Sequence, residues 1–328
     1  MDAPLLDVRD LTIHFHVREG TARAVDQVSY QIFPGETLGL VGESGCGKTV
    51  SSLAILKLLD VPPAEYHGGQ ILFEGRDLIR AEEKEMRRIR GRSISMIFQE
   101  PMTSLNPVIS VGFQIAEVLL THQMMTTAEA RDRSVELLNR VGIPSPRRRA
   151  DEYPHQLSGG MRQRIMIALA LACNPRMLIA DEPTTALDVT IQAQILDLMI
   201  DLQDELGTSI LLITHDLGVI AEAADRVAVM YAGRIVEKSG VRRIFDDPRH
   251  PYTQGLLQCI PRLDEDARPR RLKEIPGRVP NLCFLPPGCA FYDRCPVRVE
   301  RCLAERPELE PVDGEGHLAC CWVAQNQA

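Results

Sequence analysis

The segment that most restricts the fold of this chain is Gly42-Glu43-Ser44-Gly45-Cys46-Gly47-Lys48-Thr49, which fits G-x-x-x-x-G-K-[ST] at every position. Such a loop works only between a buried strand and a helix. Its glycines let successive backbone N–H groups converge on phosphate oxygens, and the helix N-terminus adds favourable partial charge. The flanks comply: Thr37-Leu38-Gly39-Leu40-Val41 is a continuous apolar run of the kind found in buried parallel strands, and residues 49 to 60 alternate like a helix. In this setting Lys48 would reach the β- and γ-phosphates, and the Thr49 hydroxyl would ligate Mg²⁺.

A second apolar strand, Met177-Leu178-Ile179-Ala180, ends in Asp181 and Glu182. Asp181 is suited to hold Mg²⁺ through water, and Glu182 to polarise an attacking water as general base. Phosphoryl transfer is mostly positioning and charge neutralisation, so this small set is sufficient chemistry. Two acids after a strand mean little alone; a complete phosphate loop upstream gives them their reading. Short strands are also expected at Leu5–Val8, Leu11–Ile13, Val28–Ile32 and Ile210–Ile213. A hairpin edge is expected at Ile71–Phe73 followed by Glu74-Gly75, a helix over Ile191–Glu205, and mostly helix from about 110 to 173. The alternation predicts an α/β core with a helical insertion.

The bulk numbers exclude several classes. A net charge of −8 argues against a general nucleic-acid binder. The start, Met1-Asp2-Ala3-Pro4, lacks the basic-then-apolar layout of a signal peptide, and the longest apolar run, near Ile165 to Cys173, is too short to span a bilayer. A cytoplasmic chain is expected, with any membrane role exerted through a partner. Six of the nine cysteines fall late, at Cys283, Cys289, Cys295, Cys302, Cys320 and Cys321. In a reducing compartment such clustering favours a metal or iron–sulfur centre over disulfides.

Between the two nucleotide motifs lies Leu157-Ser158-Gly159-Gly160-Met161-Arg162-Gln163-Arg164. An N-cap explains the serine, but not the glycine pair or the order of the whole set. With the phosphate loop before it and the acidic strand after it, this segment resembles the signature motif of the ATP-binding cassette ATPases. The resemblance implies a P-loop NTPase (RecA-like) α/β core, an antiparallel β subdomain, a helical signature subdomain and a small Cys-rich C-terminal extension. It also implies that Gln99 is the Q-loop glutamine and a third Mg²⁺-associated residue. Ala186-Leu187-Asp188 is then the D-loop, His215 the switch histidine on the γ-phosphate, and Phe15 the aromatic that stacks on adenine, with His16 and Tyr30 as competitors. Cassettes of this class sandwich two nucleotides head to tail, so Ser158, Gly159, Gly160 and Asp188 would act in trans on ATP held by the partner.

The resemblance narrows further on Gln99 to Pro107, Tyr153 to Met161, Ala180 to Gln194 and Pro248 to Gln254. These resemble the ATPase subunits of dipeptide, oligopeptide and nickel permeases, most nearly the dipeptide type. The implied division is a nucleotide-binding domain over 1–245, with its helical subdomain at about 100–172, and a C-terminal extension over 246–328. The implied assembly sits at the cytoplasmic face of the membrane: a paralogous ATPase, two transmembrane permease subunits and an extracytoplasmic peptide-binding protein, with no nucleic acid. Cys289, Cys295, Cys302 and Cys320, with five, six and seventeen residues between them, resemble the cysteine motif of this family. Four thiolates suit a [4Fe–4S] cluster, with zinc as the alternative, and Cys321 or Cys283 competes as fourth ligand. Cys46 stands where serine is usual; at a helix N-terminus it is expected to have a lowered pKa and raised reactivity. A soluble cassette ATPase acting on nucleic acid or ribosomes is the weaker alternative, and a redox enzyme built on the cysteines ranks last.

Overall fold

In the computed structural model the described residues are 3–99, 104–184, 188–259, 274–313 and 316–326. Among these residues the strands, in chain order, are β1 (Leu6–Val17), β2 (Gly20–Ile32), β3 (Thr37–Val41), β4 (Ala64–Phe73), β5 (Arg76–Asp77), β6 (Ile94–Ile97), β7 (Met177–Asp181), β8 (Ser209–Thr214), β9 (Arg226–Tyr231), β10 (Arg234–Gly240), β11 (Glu310–Pro311) and β12 (Leu318–Ala319). The chain divides into two compact units.

One unit comprises Ile32–Thr37 and Arg80–Ile213. Its strands β6, β7 and β8 run parallel, Ile94 opposite Met177 and Met177 opposite Ser209. Every residue of β7 is buried, as expected of a parallel strand covered on both faces. The expected helical region appears as helices Val111–His122, Thr127–Arg140, Pro146–Arg149 and Gly159–Leu171. Thr127–Arg140 begins with a capping box: Thr126 accepts from the Glu129 N–H, and Glu129 accepts from the Thr126 N–H at 2.7 Å. The helix Val189–Leu206 ends on Gly207 at φ 64°, the left-handed conformation that glycine adopts without steric cost.

The other unit comprises Leu5–Gln31, Leu38–Ile79 and the chain from Thr214 onward. Its antiparallel sheet has the order β2-β1-β4-β5, and its second set of strands the order β11-β12-β10-β9-β3, with β3 and β9 parallel. The pieces expected at Leu5–Val8 and Leu11–Ile13 are one strand interrupted by a bulge, where Asp10 sits at φ 46°. Asp and Asn tolerate that region better than other non-glycine residues. Gly39 lets the helix Leu217–Ala223 approach β3; a Cβ there would stand 2.7 Å from Ile220 Cδ1.

The segment after residue 240 carries more order than its weak periodicity implies. It holds helices Val241–Asp246 and Pro251–Gln258 and the short strands β11 and β12. Their anchor is Glu237 on β10, which is fully buried. Its carboxylate accepts from the Arg249 N–H at 2.6 Å and the His250 N–H at 2.9 Å, and lies 2.6 Å from His317 Nε2. A buried carboxylate is tolerated only when its lone pairs are met in this way.

Candidate functional site

The phosphate loop follows β3 and opens the helix Lys48–Ile55. Three of its glycines have positive φ: Gly42 at 157°, Gly45 at 78° and Gly47 at 106°. At Gly42 and Gly47 the demand is steric as well. A Cβ on Gly42 would stand 2.2 Å from the Met230 carbonyl oxygen, and one on Gly47 2.2 Å from that of Ala24. The loop is thus walled by the backbone of β9 and β2. Lys48 is buried, and its ammonium donates to the carbonyls of Gly42 at 2.7 Å and Glu43 at 3.1 Å. Ser44, Gly45 and Thr49 are exposed.

Cys46 corrects an expectation. Its side chain is fully buried, and burial pushes the thiol pKa up despite the nearby Lys48 ammonium, 3.8 Å from Sγ. Desolvation penalises the thiolate more than the helix start and the lysine favour it. Where the sequence predicts a reactive thiol, the structure places a buried one with a raised pKa.

The acidic strand presents Asp181, buried at the end of β7, and Glu182, which takes the left-handed conformation at φ 48°. For a non-glycine residue this costs about 1 kcal/mol, a strain that clusters at functional positions. The Glu182 N–H is tied to the Ile213 carbonyl at 2.8 Å, and its carboxylate accepts from Gln99 Nε2 at 2.9 Å. Two residues separated by 83 positions, assigned to one reaction from sequence, therefore touch. Gln163, which the sequence reading passed over, is buried in the helix Gly159–Leu171 and donates to the Pro183 carbonyl, joining that helix to the segment after Glu182.

Ser158 is the N-cap of that helix, accepting from the Met161 N–H at 3.3 Å. Ser158 and Gly159 are exposed, while a Cβ on Gly160 would crowd Ile191 Cγ2 at 3.0 Å. Asp188 caps the helix Val189–Leu206 through the Ile191 N–H at 3.0 Å. His215 is exposed immediately after β8, and Asp216 caps the following helix. Of the adenine candidates, Tyr30 is core, its hydroxyl 3.2 Å from Ser51 Oγ. His16 is engaged by Glu65 at 2.8 Å, whereas Phe15 is half-buried on β1. Ala186 and Leu187 of the expected D-loop, Thr185 before them, and Glu100 to Thr103 after Gln99 lie outside the described residues.

The loop is also held from the C-terminal segment. Arg294, nearly fully buried, forks onto the Glu43 carboxylate at 2.6 and 2.9 Å and donates to the Pro276 carbonyl at 2.9 Å. The buried Tyr252 hydroxyl accepts from the Glu43 N–H at 2.8 Å, and Tyr252 packs with Tyr231 and Phe291. Sequence reading missed Arg294 and Tyr252, because their partner lies more than two hundred positions away.

The phosphate loop, the acidic strand and the capped Ser158 turn are those of an ATP-binding cassette ATPase. A family model described as ABC transporter matches residues 25–185, and one described as oligopeptide/dipeptide transporter, C-terminal region, matches 236–302. The oligopeptide transport ATP-binding protein OppD of Bacillus subtilis is 53% identical over 324 residues, covering 99% of this chain and 90% of that protein. The dipeptide transport ATP-binding protein DppD of Escherichia coli is 52% identical over 317 residues, covering 97% and 96%. The solved dimer of the ATP-binding cassette MJ0796 bound to ADP and Pi has a TM-score of 0.65 at 28% identity, covering 72% of this chain and 99% of that one. The chain belongs to the ABC transporter ATPases, in the branch that carries the oligopeptide/dipeptide transporter C-terminal region.

Two outcomes follow. Iodoacetamide will leave Cys46 unmodified in the folded protein and modify it in urea; peptide mapping that finds native-state alkylation at Cys46 as fast as at an exposed thiol would contradict its burial. Arg294→Ala, which strips the buried partner from a half-buried carboxylate, should cost about 2 kcal/mol and weaken ATP binding. Arg294→Lys should restore only part of this because an ammonium cannot fork onto a carboxylate. A thermal midpoint and ATP affinity unchanged in both variants would refute the clamp.

Proposed function

We propose that this chain is the ATP-hydrolysing subunit of an importer for di- or oligopeptides. The observation that carries the reading is the joint match of the cassette and the peptide-transporter C-terminal region within one chain, with relatives named for peptide transport aligned over nearly its whole length. Among the described residues no helix is long and apolar enough to cross a membrane. The membrane path is therefore assigned to two permease subunits, with a binding protein delivering cargo and this chain attached at the cytoplasmic face. The division into a cassette over 1–245 and an extension over 246–328 belongs to the same reading.

In the proposed cycle Lys48 and the loop amides hold the phosphates. Thr49, Asp181 and Gln99 are the residues that would hold Mg²⁺, and the ion would supply charge neutralisation for phosphoryl transfer. Glu182, oriented by Gln99, accepts a proton from the attacking water, His215 contacts the γ-phosphate, and Phe15 stacks on adenine. Ser158, Gly159, Gly160 and Asp188 serve the nucleotide of a paralogous second cassette. The exposure of Ser158 and Gly159 at a capped helix start supports this, because free N–H groups there suit an anion arriving from outside the chain.

We further propose a [4Fe–4S] cluster on Cys289, Cys295, Cys302 and Cys320. All nine cysteines are free thiols, and these four, with Cys321, line one small cavity. Burial pushes Cys289 up to about 11 and Cys320 up to about 12, so ligation would displace protons. Among the described residues no three of these sulfurs lie within 4.8 Å of one another.

Glu182→Gln should lower turnover by about 100-fold or more while ATP affinity is kept and a closed dimer accumulates; unimpaired hydrolysis would remove Glu182 from its role. Anaerobic purification should give brown protein with iron and sulfide that Cys302→Ser loses. Stoichiometric zinc without iron would reject the cluster.

A further inference from the structure

Three of the chain's eight histidines meet at a place the nucleotide chemistry does not use. His14 and His16 lie on β1, and Glu65 and His67 on β4. These strands are antiparallel with His14 directly opposite Glu65. Side chains alternate along a strand, so 14 and 16 share one face with 65 and 67, and Phe15 points to the other. One donor atom each from His14, Glu65 and His67 lies within 4.8 Å of the others. The His14 and His67 rings stack at 4.3 Å between centroids, and His67 Nδ1 stands 3.9 Å from Glu65 Oε1. His16 holds the second Glu65 oxygen at 2.8 Å and is itself 3.4 Å from Thr21 Oγ1.

We infer that His14, Glu65 and His67 form a binding site for a divalent transition-metal ion of the zinc class, with His16 orienting the carboxylate. Two imidazoles and one carboxylate, with a water as fourth ligand, are a donor set for Zn²⁺, Ni²⁺ or Cu²⁺; Mg²⁺ and Ca²⁺ prefer oxygen alone. At metal–ligand distances of 2.0–2.1 Å, donors stand about 3.4 Å apart, so partly exposed side chains need only small rotations to close on the ion. The hydrogen bond from His16 fixes Glu65 as a carboxylate partner fixes a ligating histidine.

A bound ion would clip β1 to β4 across the sheet from the face that carries Phe15, so metal and nucleotide would not compete. Because the donors come together only in the folded sheet, metal would raise the thermal midpoint by mass action.

The test uses the full-length protein and Zn²⁺ alone. In equilibrium dialysis the wild type should hold one more equivalent than the H14Q/H67Q variant, and Zn²⁺ should raise the midpoint of the wild type only. Co²⁺ in that equivalent should give a visible spectrum without thiolate charge transfer, which separates it from any ion on the tail cysteines. A Glu65→Gln variant, a near-isosteric change at an exposed position, should weaken the extra equivalent at least about tenfold, guarding against misfolding of the double variant; ATP binding in chelator should match wild type in both. Equal stoichiometry in wild type and H14Q/H67Q, or thiolate bands from the extra equivalent, would overturn the site.

Discussion

The whole nucleotide-binding arrangement depends on backbone that has no room for side chains. Gly42 and Gly47 lie so close to the carbonyls of Met230 and Ala24 that a methyl group at either position would collide with main chain, which cannot swing away as a side chain can. Close packing of a loop against two strands leaves its remaining groups little freedom. That is why Lys48 is buried yet engaged, and why Cys46 is sealed beneath the loop. The rest of this unit is arranged around keeping that loop in place: β2 and β9 from the sides, Arg294 and Tyr252 on Glu43.

Two glutamates show how position divides labour between chemically identical groups. Glu43 is gripped by a buried guanidinium and a buried phenol, so it serves the shape of the loop. Glu182 is half-buried, carried on a strained residue and touched by an amide that can let go, which suits a group that must handle a proton.

What was legible in the sequence follows from how local its causes are. The phosphate loop, the acidic strand and the capped Ser158 turn are short patterns whose function is set by neighbours a few positions away, and each lies where its pattern placed it. The thiol of Cys46 was misread because its local surroundings, a helix start and a lysine, favour the thiolate, while the deciding term is burial under residues from elsewhere in the chain. The order beyond residue 240 was underestimated for a related reason. Its helices and short strands are held by contacts to Glu237 and Glu43, not by an amphipathic rhythm of their own. The long β1 reads as two fragments in the sequence because a bulge at Asp10 interrupts the alternation that marks a strand, and of β2 only the Val28–Ile32 end is expected.

Glu237 also ties distant parts of one unit to each other. It lies on β10, yet one of its partners, His317, stands 80 positions further along the chain. Without that imidazole the strand would bury a carboxylate short of one of its three partners, and a buried polar group left partly unmet carries a desolvation penalty. Loss of His317 would therefore loosen the edge of the sheet from within, so the tail is a structural part of the unit that holds the phosphate loop as well as its appendage.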